Sequence, residues 1–552
     1  MPALRAGSWL LALLPWGVLV LAVAATFANT LDNEFVYDDQ LVIVDDPAVR
    51  LPLSAGFEGL YYRPLRTLSY RLDYALGGMS PRVFHLNNVL YHGVTVLLVY
   101  GLLGAVGASP AAALAGALLF AVHPVQADAV SYAAGRRDVL CGLFYALGVL
   151  AYLRYRRAGG AGAFALAAGA YVLAILAKEM AVTLAMVCVL VDRWRLACAG
   201  QASPHPDRPA APSRRHVGYL VLLGTIGALA LALTYGGHVL HIATERPWHG
   251  GSFGTNLATV ARVWLKYLQL VLWPAQLSVD YSYDAFPVST SALDPRALAS
   301  GGMLLGLAGI GWTSWRRGGW LGLGLLWIAV ALLPVSHLVP FRELLAEHYL
   351  YIPMMGVALI GSGIVDVAAR RWPERRRWLA AAAVVVLSVL AARTVVRNRD
   401  WRDRLTLWSA TVAVAPRCAR AQYNLGQAYF ERTRLADAER AWLAAAALQP
   451  DDHETTRGLA MLYYRLGQHD LAAAKIDAVL AAKPEDTDAL TFAGWLALDR
   501  GKADRALEYF DAALAILPPE KAEKVRSGRE RAVRAGARPI RPADGAGRAE
   551  PR

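Results

Sequence analysis

The sequence is poor in cysteine and poor in charge. Cys141, Cys188, Cys198 and Cys418 are the only thiols in 552 residues. No two of them have metal-ligand spacing, so neither a disulfide scaffold nor a zinc site is implied. Asp, Glu, Lys and Arg make up 18% of the chain, against 56% hydrophobic residues. An ordinary soluble protein carries about 25% charged residues. This balance excludes disorder and argues against a single soluble globule. It points to a polytopic membrane protein with a soluble part attached. Basic residues outnumber acidic ones, 56 to 43, but the excess is scattered. It reads as membrane topology and not as a nucleic-acid surface. The apolar runs also lack the mid-span charge ladder of a substrate pathway, which weighs against a transporter.

What the sequence has in abundance is long apolar runs. Residues 7–28 are free of charge and long enough to span. Residues 83–127 are also charge-free, and 107–110 break them into two helices. Further spans are expected near 138–155, 158–177, 180–191, 217–235, 297–315, 318–339, 349–365 and 378–392, eleven in all. Basic clusters stand at Arg154/Arg156/Arg157, Arg193/Arg195 with Arg214/Arg215, Arg316/Arg317, and Arg370 to Arg377. The positive-inside rule places each in the cytoplasm. All of them fit one orientation if 256–273, which carries Arg262 and Lys266 on one face, lies in the outer interface as an amphipathic helix. The N-terminus is then cytoplasmic. Residues 29–82, 123–137 and 238–296 face outward, as do the shorter turns at Lys178–Glu179 and 340–348. Residues 201–213 form a Pro-rich cytoplasmic linker.

Composition changes after Arg393. Pro416, Pro450, Pro484 and Pro518 recur every 34 residues. Gly426, Ala460 and Gly494 recur in the same frame, followed by Ala438, Ala472 and Ala506, then by Trp442, Ile476 and Phe510. This is the tetratricopeptide period. Trp408 stands 34 residues before Trp442, so 402–416 reads as a half repeat. The expected division is a membrane domain over 1–397, three repeats with a preceding half repeat over 398–520, and a basic tail over 521–552 that reads as a capping helix followed by a disordered stretch. The fold class is all-α: a membrane helical bundle followed by a solenoid.

Polar groups gather in the outward stretches. Asp38 and Asp39 lie in the first loop. Close carboxylates repel, one pKa rises, and such a group can take a proton from a hydroxyl. Turn and cap roles compete with that reading, and Asp45–Asp46–Pro47 is assigned to them. Arg63, Arg66 and Arg71 follow; guanidinium groups suit phosphate, but lipid headgroups or the loop's own acids would serve equally. The turn 123–138 supplies His123, Asp128, Arg136, Arg137 and Asp138, with a helix cap as the plainer role for His123. Lys178–Glu179 is either a self-satisfied pair or an anion donor with its partner. Arg262 and Lys266 are either snorkelling anchors or headgroup-level cations. Asp280, Tyr281, Tyr283 and Asp284 line a cleft or an aromatic belt, as do Arg342, Glu343, Glu347, His348 and Tyr351. Acids able to act as a base, beside cations for a phosphate and next to lipid, suit glycosyl transfer from a polyprenyl-phosphate sugar.

The ordered blocks FVYDD, YRPL, HPVQADAVSYAAGRRD, LAKE, WPAQLSVDY and EHYLYIP, followed by the repeats, resemble the GT-C glycosyltransferase superfamily. The similarity is to its transmembrane and tetratricopeptide-repeat (TMTC-like) O-mannosyltransferases. That resemblance implies an inverting transfer of mannose or another hexose to a hydroxyl, with or without a divalent metal. The first-loop acids supply the base and basic residues hold the lipid phosphate. By motif, Asp38 matches the catalytic acid and Asp39 its neighbour, in either order of roles. Arg63 matches the YRP arginine, Arg136 the GR arginine, and Lys178 and Glu179 the KE block. Arg66, His123, Asp128, Arg262 and Lys266 complete the substrate-binding set. His348 stands where relatives commonly carry arginine, and Arg342 is the substitute cation. The implied partners are membrane lipids, a lipid-linked sugar donor and a protein or peptide acceptor on the repeats, with no nucleic acid. The implied setting is the plasma or inner membrane, with loops and repeats on the extracytoplasmic side. Two rivals remain: an O-antigen-ligase-like oligosaccharide transferase, and a non-enzymatic scaffold that recruits partners through the repeats.

Overall fold

The computed structural model describes residues 8–537 apart from 57–62, 200–213, 246–247, 283–284, 339 and 341–342. Every regular element among the described residues is helical. The chain divides into two compact units, Met1–Ala415 and Pro416–Arg552.

The first unit contains α1 (Ser8–Phe27), α2 (Pro64–Gly77), α3 (Pro81–Val106), α4 (Pro110–Val122), the single turn α5 (Ala127–Val130), α6 (Arg136–Ala158), α7 (Ala161–Ala177) and α8 (Leu184–Ala199). Then come α9 (Arg214–Glu245), α10 (Phe253–Leu272), α11 (Pro295–Arg316), α12 (Trp320–Leu332), α13 (Pro353–Arg371), α14 (Arg376–Asp400) and α15 (Arg404–Val414). Their ends follow from local chemistry. Proline opens α2, α3, α4, α11 and α13, where a missing N–H costs nothing. Gly107 ends α3 in the left-handed region, and the Ser109 hydroxyl caps α4. Ser252 and Thr255 form a reciprocal capping box on α10.

Among the described residues, six helices are long and apolar enough to cross a membrane, or seven if α4 and the turn after it, bent by 50°, count as one broken span. Eleven spans are therefore not what these helices give. Several apolar runs are cut short. Pro334 ends α12 after 13 residues, and the run from 180 begins as a 3-10 turn, Glu179–Thr183. A 13-residue helix reaches only about 20 Å at 1.5 Å per residue, against about 30 Å of hydrocarbon. Three shorter apolar helices, Ala161–Ala177, Val217–Leu233 and Trp320–Val335, complete the apolar set. α10 is not among the long apolar helices: it carries Arg262 and Lys266 and buries Val263, Tyr267 and Leu270.

The bundle core is built on α3, α4, α6, α7, α12 and α13, and fully buried Tyr145, Tyr152 and Trp327 fill it. α12 and α13 approach backbone to backbone. A Cβ on Gly324 would stand 2.5 Å from the Gly356 carbonyl oxygen, and one on Gly356 2.7 Å from the Gly324 carbonyl oxygen. Only glycine permits that contact.

The second unit consists of helical hairpins: α16 (Ala419–Glu431) with α17 (Leu435–Leu448), α18 (His453–Arg465) with α19 (His469–Ala482), and α20 (Thr487–Asp499) with α21 (Ala503–Ile516). The repeating frame has a packing cause. Gly426 and Gly458 both pack against the buried Trp442 ring, and Gly494 packs against Phe510. The half repeat belongs to the first unit, where Trp408 is buried and meets Tyr37 at 5.5 Å between ring centroids. Within 521–552, Glu523–Arg534 is a helix, α22, because Val525 and Ala532 pack with Phe510.

Candidate active site

Loops of the first unit bring most of the expected charged residues together. The first loop leaves α1 and turns at Tyr37, whose φ of 56° is unusual for a residue other than glycine. The turn holds the two aspartates differently. Asp39 is fully buried, and its carboxylate accepts the Val36 amide at 3.0 Å and the Ala134 amide at 2.7 Å. Burial pushes its pKa up to about 8, against the pull of those two amides. Asp38 donates its own amide to the Tyr132 hydroxyl at 3.1 Å. Its side chain is 40% exposed and lies 4.0 Å from Arg137 Nη1.

The next turn enters α6. Arg136 is completely buried and bonds Asp73 at 2.6 Å, the Phe84 carbonyl at 2.7 Å, Ser69 at 3.2 Å, and Asn88. It fastens α2 and α3 to α6 and does not face Asp38. Arg137 does, and Asp138 accompanies it at 3.4 Å. Motif matching does not single out Arg137, because the GR arginine is Arg136. Asp138 also receives Lys178 at 2.6 Å, and the ammonium sits 4.8 Å from the centre of the Tyr349 ring. Burial lowers the Lys178 pKa, and Asp138 opposes the shift. Glu179 holds Arg63 through a forked pair, with contacts of 2.8 and 3.1 Å from Nη2 and 3.3 Å from Nε.

The turn before α13 closes this group. His348 gives its backbone amide to Asp128 at 2.8 Å, and its Nδ1 lies 2.9 Å from the same carboxylate. Its Nε2 stands 3.9 Å from Glu343, which in turn accepts the Tyr349 hydroxyl at 2.9 Å. Behind it, the fully buried Glu347 accepts the Ser278 amide and the Tyr281 hydroxyl, both at 2.6 Å, and meets Arg397 at 3.3 Å. Burial raises the Glu347 pKa to about 7, although Arg397 opposes the shift.

The remaining expected residues stand apart or serve the frame. His123 bridges the Val271 carbonyl at 2.9 Å and the Val125 amide at 3.4 Å, which is the capping role. Arg262 holds its own loop through Pro287, Ser289 and Asp294. Lys266 reaches Gln269 at 3.3 Å. Arg66 is buried on α2, 5.9 Å from the Tyr70 ring. Arg342 lies outside the described residues, as do Tyr283 and Asp284. Among the described residues no three His, Cys, Asp or Glu side chains converge as metal ligands would.

A family model described as "Protein O-mannosyl-transferase TMTC, DUF1736" matches residues 248–308, and the tetratricopeptide repeat matches 389–453 and 457–521. The chain is 28% identical to human protein O-mannosyl-transferase TMTC4, over 75% of this chain and 63% of that one. The chain is a relative of the TMTC proteins. It is also 25% identical to mouse TMTC3, over 83% of this chain and 53% of that one. With Drosophila melanogaster Tmtc2 it shares 32% identity over 53% of this chain and 33% of that one. The chain spans less than two thirds of the length of these TMTC proteins. The segment matched by the TMTC model contains α10 and the loop that brings Ser278 and Tyr281 to Glu347.

Proposed function

We propose that this TMTC relative is an inverting glycosyltransferase of the GT-C type. It moves mannose or another hexose from a polyprenyl-phosphate carrier to a hydroxyl, with protein Ser or Thr as the acceptor class. One observation carries the reading: Asp38, a half-exposed carboxylate, faces Arg137 at the edge of an otherwise buried ion-pair network. Asp38 is the base and takes the acceptor's proton as its oxygen attacks the anomeric carbon. The bond from that carbon to the phosphate oxygen breaks on the opposite face. Arg137, with Arg63 and Lys178 near it, stabilises the charge growing on the leaving phosphate. Asp39 holds the loop that aims Asp38. The first unit carries transfer on the extracytoplasmic face, and the repeats present a protein acceptor on their concave surface.

The test uses membranes containing the full chain, a labelled polyprenyl-phosphate hexose and a hydroxyl peptide. D38N is expected to lower kcat by about 10²–10⁴-fold with unchanged membrane yield. Wild-type turnover in D38N removes the base assignment. Transfer only from a diphosphate-linked oligosaccharide replaces this reading with the ligase. No transfer from either donor, with partner recruitment intact, leaves the scaffold.

A further inference from the structure

The helices that carry the charged cluster have a second polar end, with a different chemistry. α13 starts at Pro353, directly after the turn holding Glu347 and His348, and runs 19 residues to Arg371. That length is about 28 Å, close to the hydrocarbon thickness of a bilayer. At this far end a groove of about 670 Å³ lies between the end of α8, the α11–α12 turn and the end of α13. Trp194, Trp320 and Trp372 line it, together with Ile364, Arg317 and Arg370.

The charges in this groove are not balanced from within. Neither Arg317 nor Arg370 has an acidic partner within 4.0 Å among the described residues. The acid in the wall, Asp366, is engaged elsewhere: it accepts the Ser109 hydroxyl at 2.6 Å and the Ser109 amide at 3.2 Å. The aromatic wall is fixed in place. Trp194 donates to the Gly319 carbonyl at 3.1 Å, and its ring lies 5.2 Å from that of Trp320. The groove is also open along its apolar side, where Ile364 is 62% and Trp372 44% exposed. Indole rings at headgroup level, aliphatic walls below them and two unpaired guanidinium groups that outnumber the one wall carboxylate are the chemistry of a phospholipid site. A free phosphate would use the arginines alone and leave the apolar walls in water.

We propose that this groove binds an anionic phospholipid of the leaflet opposite the charged cluster, with its phosphate on Arg317 and Arg370 and its acyl chains along Ile364. The site does not depend on the transfer chemistry. The test is native mass spectrometry of the full chain in detergent, given equal amounts of dioleoyl-phosphatidylglycerol and dioleoyl-phosphatidylcholine. The wild type is expected to retain phosphatidylglycerol about tenfold over phosphatidylcholine. R317Q/R370Q should abolish that preference. R370Q alone, at an exposed helix end that the fold does not need, should lower it severalfold. R316Q/R371Q removes the same charge from neighbours outside the groove and should keep it. Equal retention in the wild type overturns the proposal, as does a preference that survives in R370Q or is lost in R316Q/R371Q. Displacement of the lipid by millimolar inorganic phosphate also overturns it, in favour of a simple phosphate site.

Discussion

Asp38 and Asp39 share a side chain and a turn, and their surroundings separate them. One carboxylate is tied to two amides out of water; the other is half in solvent beside a cation. A matching division falls on Arg136 and Arg137. Adjacent residues on a helix point about 100° apart, so the GR motif alone cannot say which guanidinium turns to the acid. Asp73, Asn88 and Ser69 from α2 and α3 decide it by taking Arg136. This is why the gathering of the site was legible in the motifs and the assignment within each pair was not. R136Q is expected to reduce membrane yield, because it strands Asp73 without its buried partner at a cost of about 3–5 kcal/mol. R137Q should fold and lose about 10²–10³ in kcat. Thermal melting and turnover of the two variants, measured side by side, check this; R136Q that folds and merely turns over slowly would reverse the two roles. Asp39 adds a pH dependence. Its carboxyl keeps its proton to about pH 8 in the fold and loses it near 3.8 when unfolded. Stability from this group is therefore full below about pH 4 and falls as pH rises towards 8. Glu347, raised to about 7, acts in the same direction. The melting temperature in detergent should fall across this window, and D39N/E347Q should flatten the decline.

At the scale of elements, sequence and fold agree on helices and disagree on how many are long. Hydropathy sees the apolar run from 318 to 339 as continuous. Pro334 and the 3-10 turn around it cut that run and bring the chain back towards the charged cluster. A similar turn after Lys178 places Glu179 against Arg63. The short helices are thus tied to the loops that carry the charged cluster, which is information that a sliding window averages away. The α12–α13 contact is the most exacting of these joints. G356A drives a methyl group towards the Gly324 carbonyl oxygen and must separate two helices that are otherwise closely packed. Overpacking of this kind costs about 1–3 kcal/mol. The same shift displaces the start of α13, and with it His348 and Asp128. G356A is expected to lower both the melting temperature and kcat, whereas G301A, which meets open space on α11, should change neither.

At the scale of the whole molecule, the repeat array was the most legible part, because its period repeats the same packing problem. A small residue must face Trp442, then Phe510, and the sequence states this every 34 residues. What composition could not state is where the first compact unit stops. Apolar content falls after Arg393, yet the chain stays in that unit to Ala415, because α15 is capped by Asp403 and buries Trp408. The two limits predict different truncations. A chain ending at 397 removes α15 along with Asn398, which bonds Ser131 and the Thr26 carbonyl behind the first loop. Such a chain should fail to fold. A chain ending at 415 keeps those bonds and is expected to insert in the membrane. If the repeats only present protein acceptors, this longer truncation should transfer hexose to a short hydroxyl peptide at near wild-type kcat. Transfer to a folded protein acceptor should drop by about tenfold or more, since the effective concentration supplied by the array is lost. Equal loss on both acceptors would place the repeats in the transfer chemistry itself. Equal retention would leave them without a part in acceptor choice.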